Sequence, residues 1–564
     1  MSYPENKWKH TMNLWNAFEQ DGYGIEKTIN EFERTGIVAE HKTATNYDTG
    51  RKKKVYYLEG TNYEMGYLLG LLAEEEVSAM AVNFVDRIAF AFIGSEILEK
   101  IKLLQEALVF IVYQLARRIY PELPQEIRDE IQGIYDGCKK SNPGTKVSMD
   151  HLIALNMGID ILCAIVYTGD FLLLKIPEIK PSHLRIPIFC NGFSAFGSLA
   201  GNGHYFGRDF MFPTADIFQD IASLFICNPA GTNSEKMYPF VSVTAPGMVG
   251  SIGAMNSKGV GIGVDMSPGA NCDPQNSGTN SLLLNRMCAQ FGGSADRMVE
   301  IIKKTMRGVS WNYIIADGAN GKACIVEAGS STGNTDFIRF APKSLRAFLP
   351  DADFISRHKS AEIESGLMVR WSDYQYPSEY LGFNYALWSK YNKDHNASKK
   401  LYYDAFDENC YINKTHSEKN CPSTFYFAPQ RENDSHLVVT TNHFIIPEMR
   451  FCAMHPWTAW IIGDQVNDIQ WRYDELNNQI LEAIKENGYI DFEIARQLID
   501  FLAPYRMYPE YYARNPKSKD GRETRIEGCT SIFDLKNKVV ESHYGYYCDE
   551  WVRITLPNYI SESG

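Results

Sequence analysis

Residues 188–197 read IFCNGFSAFG, and residues 205–210 read YFGRDF after the turn Gly201-Asn202-Gly203. Short β-rich segments on either side of a glycine turn predict a β-hairpin, whose first strand begins at Cys190 and whose second carries Arg208. A guanidinium that faces a thiol lowers the pKa of the thiol and favours the thiolate. On spacing alone, however, a buried cysteine beside a surface arginine explains these residues better than a reactive pair.

The chain changes character at Cys190. Upstream, residues 1 to about 185 predict mainly helix, because Thr61 and Glu64 have capping-box spacing and apolar residues then recur with a helical period. Downstream, β-rich segments alternate with glycine and asparagine turns, and helical patterns return later. Long separate runs of helix and strand predict an α+β layered fold. We expect a mainly helical region over 1–189 and a second domain over 190–564, with a polar, aromatic surface insertion around 345–435.

The composition is typical of a globular protein that has no nucleic-acid partner. The 564 residues are 45% hydrophobic and 22% charged, and the formal net charge is −13. Nucleic-acid binders usually concentrate Lys and Arg on one face, which an acidic chain of pI about 5.5 does not favour. The first twenty residues lack the apolar core of a secretory signal, and no apolar stretch reaches the ~20 residues that span a bilayer. We expect a soluble, cytoplasmic protein without a membrane span.

The twelve cysteines give no sign of a metal site. They form no C-x-x-C pair and have no ligand-like spacing to histidine. We interpret most of them as small buried hydrophobic residues in a reducing compartment.

Several motifs in a fixed order resemble one enzyme family. Cys190, a short strand, a glycine turn and then Gly-Arg-Asp-aromatic resemble the start of the mature catalytic subunit in the isopenicillin N acyltransferase-like family, which is similar to choloylglycine hydrolases. Residues 253–262 resemble a hairpin of that family, and residues 312–327 resemble another. Residues 438–444, VVTTNHF, are similar to its Thr-Asn-His-Phe strand end. The resemblance runs from about residue 55 to about residue 555.

This resemblance implies an N-terminal-nucleophile (Ntn) hydrolase. The expected fold is a four-layer αββα sandwich, packed against a helical pro-region that stays associated after the precursor cuts itself between Phe189 and Cys190. The new α-amine of Cys190, with a pKa of about 8, then serves as the base for its own thiol. The expected activity is hydrolysis or transfer of the acyl group of a small linear amide, with no metal or organic cofactor. A homo-oligomer is one option for the assembly.

The resemblance also implies roles for individual residues. Cys190 is the expected nucleophile and Arg208 the residue that holds its thiol. Asn442 is expected to donate to the tetrahedral oxyanion, a contribution of about 3 to 4 kcal/mol in comparable sites. Asn256 and Asp265 are second-rank candidates for oxyanion and amine contacts.

The sequence departs from the family pattern at Met211, where relatives often have the Asp that binds the nucleophile's amine. Either Asp209 or Asp265 is then expected to supply this carboxylate. His443 is interpreted as a structural hydrogen-bonding residue, because neighbours on a strand point to opposite faces. Asp317 and Glu327 are interpreted as turn and strand-end residues.

Three other functions remain open on the sequence. The first is a lipid N-acyl amidase of the same fold, acting on N-acyl amines or ceramide-like molecules. The second is an uncleaved, inactive relative that binds a ligand or partner. The third is a papain-like protease whose Cys190 acts without any cut.

Overall fold

The computed structural model describes residues 3–46, 49–93, 102–168, 189–212, 218, 221–231, 235–269, 272–331, 366–374, 434–445, 449, 465–501, 527–545 and 550–560. The strands are β1 Tyr23–Glu31, β2 Arg34–Thr45, β3 Lys52–Gly60, β4 Phe189–Phe196, β5 His204–Phe212, β6 Ser223–Pro229, β7 Phe240–Thr244, β8 Gly253–Asn256, β9 Val260–Met266, β10 Trp311–Asp317, β11 Lys322–Ala328, β12 Leu367–Trp371, β13 Leu437–Thr440, β14 Glu527–Asp534, β15 Val539–Gly545 and β16 Val552–Thr555. The helices are α1 Tyr3–Gln20, α2 Asn62–Leu72, α3 Glu74–Ile93, α4 Lys102–Ile119, α5 Gln125–Ser141, α6 Met149–Thr168, α7 Ser281–Phe291, α8 Ala295–Lys304, α9 Gln465–Asn487 and α10 Phe492–Phe501.

The strands form two sheets. The larger has the order β1-β2-β3-β6-β7-β8-β9-β10-β11-β12, and the smaller has the order β13-β4-β5-β14-β15-β16. Neighbouring strands are antiparallel except for β3 and β6, which are parallel. A parallel pair needs a long crossover, and the helices α2 to α6 lie in the chain between these two strands. The expected α+β composition is confirmed.

The two sheets contact one another, and helices pack against strands of both. Strands β4 and β5 of the smaller sheet contact β9 of the larger, and β4 also contacts β10. Helices α7 and α8 lie against β8 to β11, whereas α9 and α10 lie against β4, β5, β13 and β14. Every residue of β9 and β10 is buried, as expected for strands that are covered on both faces.

The N-terminal region contributes strands as well as helices. The predicted capping box is confirmed at the start of α2, where Thr61 and Glu64 each accept the other's backbone N–H. The hairpin β1–β2 was not expected, and β3 joins this hairpin to β6 of the larger sheet. The first 60 residues therefore extend the same sheet that contains β9 and β10.

Buried polar contacts also join this region to the rest of the chain. Glu130 of α5 pairs with Arg286 of α7 at 2.9 Å, and both side chains are buried. Asp160 of α6 accepts hydrogen bonds from the backbone N–H and the hydroxyl of Ser281 at the start of α7, at 2.9 and 2.8 Å. The N-terminal helices therefore pack as an integral part of the structure.

Asp160 gives the stability a predictable pH dependence. Burial raises the pKa of Asp160 to about 7, whereas an unfolded Asp has a pKa of about 3.9. The folded protein then holds the extra proton, so the free energy of unfolding falls as pH rises from about 4 to about 7. Asp160→Asn keeps an acceptor for Ser281 but cannot ionise. We expect its Tm to depend less on pH across this window, and parallel Tm curves for the two proteins would contradict the assignment.

The polar insertion expected around 345–435 needs a correction. Its residues 367–371 form β12, which pairs with β11 at the end of the larger sheet, and Leu367 is fully buried. The rest of the expected insertion lies outside the described residues, apart from short stretches beside β12 and at 434–435. Only Leu367 and Arg370 of β12 are buried and its other three residues are half-buried, which is compatible with a mixed polar and apolar strand at the edge of a sheet.

Within the described residues, every helix is too short or too polar to cross a bilayer.

Candidate functional site

Cys190 lies fully buried near the start of β4, between β13 and β5. The last described pair of β4 with β13 is Gly192 with Thr440, so Asn442 would stand opposite Cys190 if the ladder continued. Instead, a side chain takes the place of a backbone partner: Oδ1 of Asn442 accepts the backbone N–H of Cys190 at 2.9 Å. The backbone carbonyl of Cys190 accepts a bond from Nη1 of Arg472 at 2.8 Å. Two side chains thus hold the backbone of the predicted nucleophile.

Asn442 connects three parts of this site. Its Oδ1 also accepts from Nη2 of Arg472 at 2.9 Å, and its Nδ2 donates to the carbonyl of Met266 at 2.7 Å. The Asn442 side chain and the backbone N–H of Met266 both hydrogen-bond the Cys190 thiol, and each of these bonds lowers the thiol pKa. These two bonds favour negative charge on the sulfur, although burial has the larger effect and raises the thiol pKa.

Arg208 and Asp265 form an ion pair across the two sheets. Nη1 of Arg208 on β5 binds Oδ1 of Asp265 on β9, and it also donates to the carbonyl of Asp209 at 2.9 Å. Both side chains are buried. Gly263 on β9 makes room for this pair, because a Cβ there would overlap Cδ of Arg208. Burial raises the pKa of Asp265 to about 6, although Arg208 opposes the shift.

Asp209 lies on the opposite face of β5 from Arg208. Its carboxyl accepts hydrogen bonds from Nδ2 of Asn191 at 3.2 Å and from the hydroxyl of Thr530 at 3.1 Å. Burial raises its pKa to about 8. Asn191 in turn accepts from Nη1 of Arg472 at 2.7 Å. Asp209 is thus linked to the backbone of Cys190 through two intervening side chains.

In the uncut chain, the expected lowering of the Cys190 pKa by Arg208 is smaller than the effect of burial. Burial raises the pKa of Cys190, and this effect is larger than the lowering caused by Arg208. Asp265 neutralises much of the guanidinium and also raises the thiol pKa. The thiol is therefore protonated at neutral pH while the chain is continuous.

Asn256 does not belong to this constellation. Its Nδ2 donates to the carbonyls of Ala289 and Gly292 at the end of α7, at 3.2 and 2.8 Å. Its Oδ1 accepts from the backbone of the β8–β9 turn. The side chain therefore faces the helices on the outer side of the larger sheet, away from Cys190, and the expectation of an oxyanion role for Asn256 is corrected.

The remaining predicted residues have structural contacts. Nδ1 of His443 hydrogen-bonds the hydroxyl of Thr441 at 2.9 Å, and its ring packs edge-on against Tyr473 at 5.7 Å. Asp317 accepts from the backbone of Ala295 and Asn320, in keeping with a turn residue. The side chain of Met211 lies outside the described residues.

Arg472, which contacts both Cys190 and Asn442, was not predicted from the sequence. A signal was present, because Arg472, Leu476 and Ile480 follow one another at a spacing of four and all three are fully buried. An arginine in line with the apolar stripe of a helix is buried only when it has specific partners.

The described residues contain no group of three or more His, Cys, Asp or Glu side chains that could hold a metal ion.

No family model matches this sequence. An uncharacterized protein from Archaeoglobus fulgidus is 29% identical over 544 residues, which cover 96% of this chain and 70% of that protein. Among solved structures, a mutant of the conjugated bile acid hydrolase from Clostridium perfringens is 12% identical, with a TM-score of 0.30 over 66% of this chain and 94% of that one. Penicillin V acylase from Agrobacterium tumefaciens is 13% identical, with a TM-score of 0.28 over 66% of this chain and 89% of that one.

Proposed function

We propose that this chain is an Ntn hydrolase that cuts itself between Phe189 and Cys190 and then cleaves or transfers the acyl group of a linear amide. The observation that carries the proposal is the set of side-chain contacts around Cys190. Cys190 is a buried thiol whose own backbone N–H and carbonyl are bound by Asn442 and Arg472. The same Asn442 also contacts the sulfur. A buried structural cysteine needs partners for its backbone groups, but it does not need a side-chain amide that binds its backbone N–H and its sulfur together.

The layer arrangement agrees with this proposal. Helices α7 and α8 cover the larger sheet, the two sheets face one another at β4, β5 and β9, and helices α9 and α10 cover the smaller sheet. Helix, sheet, sheet and helix in this order are what a four-layer αββα sandwich requires. The nucleophile then lies between the two sheets, near the start of β4, the second strand of the smaller one.

The first reaction is the self-cut. The sulfur of Cys190 attacks the carbonyl carbon of Phe189, the C–N bond breaks, and the thiol proton passes to the departing nitrogen. Water then adds to the resulting thioester and breaks the C–S bond, which leaves a carboxylate on Phe189 and a free thiol and α-amine on Cys190. Asn442 and Arg472 favour this route because they fix the backbone on both sides of the Cys190 α-carbon.

The second reaction uses the new terminus. The α-amine accepts the thiol proton and the sulfur attacks the substrate carbonyl, giving an acyl-enzyme that water or a second amine resolves. The Nδ2 group of Asn442 and the N–H of Met266 are the donors for the oxyanion. Oδ1 of Asn442 accepts from the α-nitrogen, so this amide takes over the role of the carboxylate that Met211 cannot provide.

A second candidate is an uncut scaffold that binds a ligand or partner. It is favoured by one observation, the complete burial and raised pKa of the Cys190 thiol in the continuous chain. A protonated thiol that is kept from solvent is a weaker nucleophile than a thiolate, which suits a chain that is not cut.

Intact-mass measurement and N-terminal sequencing of freshly purified protein test the proposal. We expect two polypeptides, of which the second begins with Cys190, and turnover in a screen of chromogenic linear amides. A full-length polypeptide that still hydrolyses amides contradicts the self-cut and favours a papain-like use of Cys190. A full-length, inert polypeptide favours the binding scaffold.

A further inference from the structure

Three buried polar residues form a row across the larger sheet beneath the site. Asn312 on β10 pairs in register with Asp265 on β9 and with Glu327 on β11. Directly opposed residues on neighbouring strands have their side chains on the same face. All three are at most 1% exposed, in strands that are otherwise largely apolar. Asp265 binds Arg208, which leaves Asn312 and Glu327 to be explained.

Asn312 binds the backbone on both sides of Asn442. Its Nδ2 donates to the carbonyls of Thr441 and His443, each at 2.9 Å. These two residues immediately precede and follow Asn442. The strand β13 ends at Thr440, so these carbonyls lie beyond its ladder with β4. One amide group thus holds the segment that presents Asn442 to Cys190.

Glu327 and Arg370 hold the same segment at its ends. The carboxylate of Glu327 accepts the backbone N–H of Ile445, at 3.0 and 3.1 Å to its two oxygens. Nη2 of Arg370 donates to the carbonyl of Val439 at 3.0 Å, and its Nε lies 3.5 Å from Glu327. The segment 439–445 is therefore fixed to β10, β11 and β12 by side chains.

We infer that Asn312 is a positioning residue for the proposed reaction, which holds the backbone around Asn442 so that its amide meets the α-nitrogen and sulfur of Cys190; the inference rests on the proposed function. Asn312 touches neither the sulfur nor the α-nitrogen in the contacts described, and it acts through Asn442. Glu327 supports the same segment from the next strand. Displacement of a catalytic amide by about 1 Å is enough to slow a reaction on the order of 100-fold.

Asn312→Leu tests this inference, and Asn285→Leu is its matched control. Nδ2 of Asn285 also donates to two backbone carbonyls, those of Ser251 and Ile252 at 2.9 and 3.1 Å. Both asparagines are buried, and in both Oδ1 has no hydrogen-bond partner within the described residues. We expect Asn312→Leu to slow scission on the order of 100-fold, whereas Asn285→Leu slows it by less than about threefold.

Asn312→Asp supplies a pH readout that a general loss of packing would not give. A protonated carboxyl can donate to one of the two carbonyls, whereas an ionised one repels both. We expect the rate of Asn312→Asp relative to wild type to fall as pH rises, and the rate of Asn285→Asp relative to wild type to stay flat. Equal pH profiles for the two variants would overturn the inference.

A separate readout does not depend on the proposed function. In the Cys190→Ala background the amide at position 190 is retained, and its hydrogen exchange reports the bond to Asn442. Adding Asn312→Leu is expected to speed exchange at position 190, whereas adding Asn285→Leu is not. Unchanged exchange at position 190 overturns the positioning role. Wild-type protein that never cuts, combined with faster exchange in the Asn312→Leu background, would reject the proposed function and keep the positioning role.

Discussion

Cys190→Ala is expected to remain one polypeptide of 564 residues and to show no amidase activity, while the wild-type chain separates into two. Alanine keeps the backbone bonds to Asn442 and Arg472 but removes the sulfur that forms the thioester. Cys190→Ser keeps a hydroxyl in the same position, and because this hydroxyl is the weaker nucleophile we expect slow, incomplete scission. Intact mass over a time course at neutral pH measures both outcomes.

Cys324→Ala provides the control for the loss of a buried thiol. Cys324 on β11 is also fully buried, so its replacement leaves a comparable cavity without touching the site. Its scission is expected to match wild type. Scission of the Cys190→Ala chain at the bond before residue 190 would show that another group performs the cut, and the mechanism would then be wrong.

The hairpin that carries Cys190 could be predicted because its turn, Gly201-Asn202-Gly203, consists of residues that are typical of β-turns. The first strand, the turn at residues 201–203 and the second strand were all expected, and β4 pairs with β5 from Phe189–Met211 to Phe196–His204. The β1–β2 hairpin was missed for the converse reason. Its turn residues Phe32 and Glu33 both have positive φ, of 52° and 64°, where glycine or asparagine is usual.

The site residues, too, could be predicted only where a local sequence pattern marks them. Cys190, Arg208, Asp265 and Asn442 were predicted because each stands in a motif, and the structure places them close together. Asn256 was misassigned because a motif does not state which face of its strand a side chain occupies. Its amide caps α7, whereas Asp265, nine residues later on the next strand, faces the site.

Arg472 and Asn312 could not be derived from local patterns, since their roles depend on contacts across long stretches of chain. Arg472 meets Cys190 across 282 residues, and Asn312 meets Thr441 across 129. Periodicity predicts that such a residue is buried, but not what it meets. The partner depends on how the sheets and helices pack. Local patterns such as hydrophobic periodicity do not reveal that packing.

Arg208→Met is expected to cost about 3 to 5 kcal/mol of unfolding free energy, because it leaves the carboxylate of Asp265 buried without its partner. Nε and Nη2 of Arg208 have no hydrogen-bond partner within the described residues, so the wild-type pair is itself incompletely satisfied. The double variant Arg208→Met/Asp265→Leu should therefore recover most of the lost stability, since apolar residues of similar volume replace a buried pair at little cost.

Activity separates the electrostatic role of this pair from its structural role. The double variant is expected to fold but to cut itself more slowly, because Arg208 lowers the thiol pKa by more than Asp265 raises it and both charges are gone. Urea unfolding gives the stabilities, and intact mass over time gives the scission rates of the same samples. If the double variant is as unstable as Arg208→Met, the pair contributes through packing. If it cuts as fast as wild type, the guanidinium does not assist the thiol, and only the contacts from Asn442, Met266 and Arg472 remain to prepare Cys190 for attack.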